Sequence, residues 1–264
     1  MKHLCLAVAA IIVSAAAAPA ADLSTRSRVP RQEAPPPVAY LYNWTGCYIG
    51  GYAGAAKGGR DTATDLGGYN ATGDRWRYDT GSSVIGGGTI GCNYQIASYV
   101  LGIENEIGYI NIKGSALDPL SPFLPLDTAS HVRVGHWYDV IAGRAGYAWD
   151  NTLIYVKAGA AITRVNYGVV DASAAGTGTN LISAVTTSTK ASLAIGGGVE
   201  YALAGPLRIK AEYLYMDVRA KDNTCGNAVF GGAAFCWSHD FRGVHTGKVG
   251  LNYAFGPGAF LPGM

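Results

Sequence analysis

Eight stretches of this 264-residue chain alternate apolar and polar residues with a period of two. Successive side chains of a β-strand point to opposite faces, so each stretch predicts a strand with one apolar and one polar face. In the last stretch, His239–Phe255, the apolar face begins at Phe241 and the polar face carries Arg242, Lys248 and Asn252. The predicted strands are Trp44–Ala56, Ser83–Ile96, Tyr99–Ile112, Val132–Trp149, Thr152–Val169, Lys190–Ala202, Leu207–Val218 and His239–Phe255.

The connections between these strands are alternately short and long. The short ones are Ala97-Ser98, Asp150-Asn151 and Leu203–Pro206, and the long ones are Lys57–Ser82, Lys113–His131, Val170–Thr189 and Arg219–Ser238. An even number of antiparallel strands, with short turns at one end and long loops at the other, is typical of outer-membrane barrels. Closure leaves no unpaired strand edge, as hydrocarbon requires. The sequence therefore predicts an all-β fold, an eight-stranded antiparallel up-and-down transmembrane β-barrel over residues 44–255.

The first 20 residues have the composition of a secretory signal. Lys2 precedes an alanine-rich apolar run, and Ala18-Pro19-Ala20 supplies small residues for cleavage. We therefore predict a signal peptide at residues 1–20, which would send the mature chain out of the cytoplasm.

Two further segments flank the predicted barrel. Residues 21–43 contain Pro35-Pro36-Pro37 and favour extended conformations, which predicts a Pro-rich periplasmic leader. A wall- or partner-binding arm is the alternative for this leader. A C-terminal tail, 256–264, follows Phe255, the aromatic residue that closes the last strand. Two explanations for a tail after this closing aromatic residue stay open. Either assembly of the barrel tolerates a short tail, or Phe260 within the tail has another role.

Composition narrows the class of partner. Only 14% of the residues are charged and the formal net charge is +2, so no nucleic acid or other polyanion is implied. Hydrophobic residues make up 49% of the chain, yet no apolar run after the signal is long enough for a membrane helix. Alternating strands are the remaining way to place this apolar surface.

Aromatic residues cluster near the ends of the predicted strands. Tyr109, Trp137, Tyr215 and Phe241 lie near the long loops. An aromatic girdle near the short turns and the chain end comprises Tyr94, Tyr99, Tyr147, Trp149, Tyr201, Tyr253 and Phe255. Two such rings are expected at the two interfaces of a membrane barrel. A soluble lipocalin-like barrel or sandwich is the alternative, but it would need neither ring.

Charged residues on the polar faces are predicted to point into the lumen. They are Glu104, Glu106, Arg144, Lys157, Glu200, Arg208, Lys210, Glu212, Arg242 and Lys248. A gated pore or a catalytic constellation would use such groups, and so would a salt-bridged filling of a narrow barrel. Buried charges must be paired, and acids and bases here are near balance, which favours the filling. Because eight strands enclose only enough room for side chains, we predict no wide open channel.

Four cysteines remain after the predicted signal, in an oxidising compartment. Pairing Ala56 with Ser83 across the first hairpin also places Cys47 opposite Cys92 on the same face. Cys225 and Cys236 lie in one predicted loop and could close it. We predict the disulfides Cys47–Cys92 and Cys225–Cys236, with free thiols as the alternative.

Five motifs resemble a known family. They are WTGCYIGGYAG (Trp44–Gly54), VIGGGTIGCNYQ (Val84–Gln95), YVLGIENEI (Tyr99–Ile107), AGRAGYAWD (Ala142–Asp150) and VGLNYAF (Val249–Phe255). Together they are similar to the small porin-like outer-membrane barrels of Gram-negative bacteria, a group that includes immunogenic outer-membrane proteins and haemin-binding surface proteins. The resemblance implies location in the cell outer membrane, with outer-membrane lipids and the outer-membrane assembly machinery as partners.

Because the resemblance includes haemin-binding surface proteins, haemin binding is an alternative function to consider for this chain. Four histidines lie in or near the predicted long-loop end, at His131, His136, His239 and His245. Imidazole can ligate haem iron, but these positions form no ligand motif. We therefore predict polar surface residues here, with no bound cofactor and no metal.

The predicted function is a structural, surface-exposed outer-membrane barrel with four long extracellular loops, and not an enzyme. One alternative is a low-conductance porin or a haemin-binding receptor. Another is an adhesin that binds a host, wall or haemin ligand through the loops.

Overall fold

The computed structural model describes residues 42–68, 72–118, 128–171, 182–203, 205–228 and 234–256. The chain divides into two units, Met1–Ala39 and Tyr40–Met264, and all the described residues belong to the second. The predicted signal peptide, nearly all of the leader and the tail after Gly256 lie outside the described residues. No helix in the described part of the chain is long and apolar enough to cross a membrane.

A closed antiparallel sheet forms the whole described structure. Eight strands make the ring in the order β1, β3, β4, β6, β7, β8, β9 and β10, and β10 pairs again with β1. Two short strands continue their neighbours, because β2 extends the line of β3 along β1 and β5 extends β4 along β6. The strand bounds are β1 Gly46–Gly67, β2 Arg75–Asp79, β3 Ser82–Ile96, β4 Tyr99–Tyr109, β5 Asn111–Leu117, β6 Thr128–Trp149, β7 Thr152–Asp171, β8 Ser183–Ala202, β9 Leu207–Asn227 and β10 Ala234–Phe255.

The all-β, eight-stranded antiparallel barrel is therefore confirmed. The short turns lie where the sequence predicts them, and two of them place Ala97 and Asp150 at positive φ, 52° and 49°. Positive φ is the conformation that tight hairpin turns demand.

The strands are longer than predicted, and the predicted long loops are correspondingly shorter. β1 continues from Ala56 to Gly67, and β9 continues from Val218 to Asn227. Much of what was predicted as loop is barrel wall, so those predicted loop boundaries are wrong. The tips of the four connections, at residues 69–71, 119–127, 172–181 and 229–233, lie outside the described residues.

The polarity of the wall inverts partway along its length. In the first half of β9, Ile209 is 48% exposed on the outer face, and Lys210 points into the lumen. In the second half, Val218 is buried inside and Arg219 lies outside. Tyr215 stands at the change. The first half therefore suits a surrounding of hydrocarbon and the second a surrounding of water.

The length of the strands agrees with this division. At about 3.4 Å per residue, a 22-residue strand such as β1 spans about 70 Å along its path. An outer-membrane barrel presents an apolar band only about 25 Å tall, so even a strongly tilted strand of this length projects well beyond it.

The projecting half has a hydrophobic core of its own, here called the upper core. It comprises inward-facing side chains from around the ring, among them Tyr52, Trp76, Tyr78, Ile110, Ile112, Val134, Tyr138, Val165, Tyr167, Leu214, Met216, Val218, Phe235, Trp237, Phe241 and Val244. A smaller lower cluster of Trp44, Val100, Leu153, Tyr155 and Ala202 lies at the short-turn end.

A bulge where β10 pairs with β9 corrects the prediction for Arg242. The pairing between β10 and β9 shifts between Arg242 and Val244, and Gly243 adopts a φ of 74°. Gly243 alone lies opposite two residues of β9, Asp217 and Val218, and the alternation of β10 reverses on the N-terminal side of Gly243. Phe241, predicted at the outer interface, is therefore buried in the upper core, and Arg242, predicted in the lumen, is exposed beside Asp240.

Both predicted disulfides are present. Cys47 lies directly opposite Cys92 in the pairing of β1 with β3, and Cys225 lies opposite Cys236 in the pairing of β9 with β10. The second bridge is therefore a cross-strand link within the wall rather than a bridge inside an irregular loop.

The bulge predicts that substitutions at two neighbouring positions of β10 have different effects on stability. We expect Phe241→Ala to lower the free energy of unfolding by about 3–5 kcal/mol, because it empties part of the upper core. We expect Arg242→Ala to leave stability unchanged within error, because its ion pair is exposed to water. The measurement is the urea midpoint of the folded protein in detergent micelles. A larger loss for Arg242→Ala than for Phe241→Ala would contradict the bulge.

Candidate functional site

Nine of the ten predicted lumen charges lie inside the barrel, and Arg242 is the exception. Eight of the nine form one connected set of ion pairs, which we call the lumen network. Its members are Glu104, Glu106, Glu200, Glu212, Arg144, Lys157, Lys210 and Lys248. Every side chain with an ion pair in this set is at most 1% exposed to solvent.

Lys157 is the centre of the network. Its Nζ lies 2.9 Å from Glu104, 3.1 Å from Glu106 and 2.8 Å from Glu212. Oxygens of these three carboxylates lie within 4.8 Å of one another, a spacing that a metal ion could bridge. The ammonium group of Lys157 contacts all three carboxylates and therefore supplies the positive charge that they need.

A second lysine completes this part of the network. Lys248 Nζ lies 2.5 Å from Glu106 Oε1 and 2.8 Å from Glu212 Oε1. Lys210 Nζ lies 3.2 Å from Glu104 Oε2. Each carboxylate here contacts at least two cations, which offsets the cost of taking the charges out of water.

Arg144 links the rest of the network. Its Nη2 donates to Glu200 Oε2 at 2.8 Å, and its Nη1 donates to Glu104 Oε2 at 3.3 Å. Its guanidinium lies over the ring of Tyr155 at 3.9 Å from the centroid. Asn252 Nδ2 donates to the other oxygen of Glu200 at 3.0 Å. Among the described residues, Arg144 is the one cation that forms an ion pair with Glu200.

Tyrosine hydroxyls supply further hydrogen bonds, and the sequence analysis missed them. Tyr48 donates to Glu104 at 2.6 Å, Tyr138 to Glu106 at 2.8 Å and Tyr155 to Glu212 at 2.7 Å. A period-two pattern could have found Tyr48, which shares a face with Tyr52, but tyrosine suits either face of a membrane barrel.

Glycines on neighbouring strands make room for these tyrosine rings. A Cβ atom at Gly91 would collide with the ring of Tyr48, and one at Gly108 would collide with the hydroxyl of Tyr52. The structure shows that rings fill that space, so it is not left open to water.

Arg208 lies outside the network, in the lower layer of the lumen. Its Nε donates to Tyr42 Oη at 2.8 Å, and its guanidinium lies 4.8 Å from the ring centroid of Trp44. The backbone N–H of Trp44 is held by Gln95 Oε1 at 2.7 Å. Aromatic rings from the first described residues thus cover the network at the short-turn end.

A second buried polar cluster lies within the upper core, and the sequence analysis did not predict it. Asp61 Oδ2 accepts from Tyr78 at 2.6 Å and lies 3.1 Å from His239 Nδ1. The His239 ring stacks on Tyr167 with centroids 4.8 Å apart. Burial and the adjacent Asp61 carboxylate raise the pKa of Tyr78, so its hydroxyl stays a donor. The alternating residues of Arg75–Asp79 were the available signal for this extra strand.

The four histidines predicted as surface residues do not meet on one face. His239 is fully buried, so its predicted place at the surface is wrong. His245 lies outside on β10 and contacts the Tyr213 hydroxyl at 2.6 Å, whereas His136 is exposed on β6. His131, also on β6, is half-buried, and burial lowers its pKa.

The aromatic girdle near the short turns lies on the outer face. Exposure of its members ranges from 43% for Tyr253 to 72% for Trp149, and the remaining members are Tyr94, Tyr99, Tyr147, Tyr201 and Phe255. Between this ring and the polarity change, the outer face carries apolar residues such as Ile103, Val156 and Val249. Such a band is suited to contact with lipid acyl chains.

Comparison with known proteins agrees with this arrangement. The outer membrane protein beta-barrel domain family matches residues 4–255, so the chain belongs to that family. A 31 kDa outer-membrane immunogenic protein of Brucella melitensis is 29% identical over 219 residues, which cover 81% of this chain and 85% of that protein. A 22 kDa outer membrane protein of Rhizobium leguminosarum is 29% identical over 194 residues, or 72% and 71% of the two chains.

Among solved structures, the outer membrane protein OprG from Pseudomonas aeruginosa superposes with a TM-score of 0.50 and 11% identity, covering 81% of this chain and 99% of that chain. This likeness concerns the fold alone. The predicted location is confirmed: this is an outer-membrane protein, with its short turns at the periplasmic end, as in barrels of this class.

The lumen network predicts that the stability of the barrel depends strongly on Arg144. We expect Arg144→Ala to lower the free energy of unfolding by about 3–5 kcal/mol, because it leaves Glu200 buried without its cation. Adding Glu200→Gln to that variant should recover part of the loss, since an amide needs no counter-charge and still accepts from Asn252. Urea midpoints of the two single variants and of the double variant give the coupling free energy between Arg144 and Glu200. A double variant less stable than Arg144→Ala would contradict the pairing.

Proposed function

We propose that this protein is a structural, surface-exposed outer-membrane barrel with a closed lumen, which acts as a solid projecting scaffold rather than as a channel or an enzyme. The observation that carries the proposal is the burial of the lumen network. A lumen with a continuous water column would leave its lining charges exposed, whereas the ion-paired side chains here are at most 1% exposed.

Packing on both sides of the network supports a closed lumen. The upper core lies on its extracellular side, and Trp44 with Leu153 lies on its periplasmic side. Solutes would have to cross two apolar layers and one ionic layer. A low-conductance porin would need all three to open together.

The length of the wall supports a role at the cell surface. The polar outer face of the projecting half, with residues such as Arg219 and Lys221, is suited to water and carries the strand ends away from the membrane. The loop tips that would bind a host, wall or haemin ligand lie outside the described residues, and the proposal makes no use of them.

The proposal assigns no catalytic role. The carboxylates and cations of the lumen are engaged with one another, and their burial leaves no room for a substrate. Haemin binding through the four histidines gains no support, because His239 lies inside the barrel whereas His136 and His245 lie outside.

Conductance measurements test the proposal. We expect the purified barrel to give no stable single-channel steps in planar bilayers, because side chains fill its lumen. Arg144→Ala should remain non-conducting as well, since the apolar layers on both sides stay intact. A wide porin measured in the same bilayers is the positive control. Regular single-channel steps from the wild-type barrel would contradict the closed lumen and favour the porin.

A further inference from the structure

Four arginines meet on the outer face of the projecting wall, where β2, β1 and β10 lie side by side. They are Arg60, Arg75, Arg77 and Arg242, here called the arginine cluster. With Thr62 and Asp240 they line a surface pocket of about 330 Å³.

Strand register brings these side chains together. Arg60 of β1 pairs with Arg242 of β10 on one side and with Asp79 of β2 on the other, and Thr62 pairs with Arg77. The bulge at Gly243 is what turns Arg242 to this face. The cluster is therefore a product of the three strands and is not visible in any one of them.

The backbone that carries the cluster is fixed from inside. Trp76 and Tyr78 alternate with the arginines of β2 and are buried, and Tyr78 donates to Asp61. The arginines thus project from a held strand rather than from a free loop, which reduces the ordering cost of binding.

The positive charge of the arginine cluster exceeds the negative charge of the carboxylates beside it. Arg60 pairs with Asp79 at 3.0 Å, and Arg242 pairs with Asp240 at 3.0 Å. Neither Arg75 nor Arg77 has an ion pair or a side-chain hydrogen bond within the described residues. Two guanidinium groups are therefore available for an anion, and each can donate two parallel hydrogen bonds to oxygens of one phosphate.

The height of the cluster points to the source of that anion. Along the outer face of β1, the continuous run of apolar residues ends at Ala55, and the next outward positions include Lys57 and then Arg60. Arg60 and Arg242 thus lie just above this apolar run, and Arg77 and Arg75 lie level with Thr62 and Thr64, farther toward the long-loop end on the outer face of the wall. A phosphate attached to a lipid headgroup would stand at this level, beside the barrel.

We infer that the arginine cluster is a binding site for a phosphate group on a phosphorylated glycolipid of the outer leaflet. The site binds the phosphate through Arg75 and Arg77, while Arg60 and Arg242 add positive potential. This inference does not depend on the closed lumen, since the cluster lies on the outside of the wall.

Lipid binding to the folded, full-length mature protein tests the inference. The probe is lipid A with both phosphates, added to the barrel in neutral detergent micelles and measured by native mass spectrometry. We expect Arg75→Gln/Arg77→Gln to weaken binding by about tenfold or more, because two charge-assisted contacts are lost. Lipid A stripped of its phosphates should bind the wild type as weakly as intact lipid A binds the double variant.

A matched control separates this site from general surface charge. Arg164 is an exposed, outward arginine on β7, four strands from β1 in either direction around the ring, and has no ion pair within the described residues. We expect Arg164→Gln to bind lipid A like the wild type. Heat-modifiable gel mobility would show that each variant is folded.

Three results would overturn the inference. One is equal loss of binding in Arg164→Gln and in the double variant, which would show diffuse attraction. Another is wild-type binding that does not change when the phosphates are removed. A third is inorganic phosphate binding the wild type as tightly as lipid A, which would exclude a site built for a lipid.

Discussion

A charge inside a narrow barrel must have an opposite charge beside it, and this requirement organises the structure. Lys157 meets three carboxylates at once, and Arg144 bridges Glu104 on β4 to Glu200 on β8. Because these contacts cross the lumen between strands that are distant in the chain, they fix the register of the wall. The same contacts fill the lumen, so the interactions that stabilise the wall are also those that support the proposed closure to solutes.

The inversion of polarity follows from what surrounds each part of the wall. Where hydrocarbon is outside, apolar side chains face outward and the lumen is ionic. Where water is outside, charged residues such as Arg219 face outward and the interior becomes an ordinary apolar core with residues such as Phe241. The network is therefore covered by apolar packing at its extracellular side as well as by Trp44 at its periplasmic side. The arginine cluster lies close to the level at which this change occurs.

Period-two alternation was sufficient to predict the ring, the short turns and nine of the ten lumen charges. It failed at Arg242, because the alternation of β10 reverses at Gly243, where one residue lies opposite two residues of β9, and this break leaves no strong signal in a single sequence. It also missed the extended parts of the strands. The prediction assumed apolar residues on the outer face throughout, whereas in the projecting half the apolar residues lie on the inner face. The cluster of Asp61, Tyr78 and His239 joins β1, β2 and β10, and only the tertiary register brings it together.

Access of a reagent to the lumen tests the central claim most directly. Thr89 is 3% exposed and lies opposite Glu106 in the pairing of β3 with β4, so Thr89→Cys places a thiol beside the network. The four cysteines of the barrel form disulfides, and Cys5 lies in the predicted signal peptide, so the new thiol is the one expected to react. The account predicts no reaction of Thr89→Cys with a charged maleimide until the barrel is unfolded, whereas Thr187→Cys, on the exposed outer face of β8, reacts readily in the folded protein. Rapid labelling of Thr89→Cys in the folded barrel would show an open lumen and contradict the account.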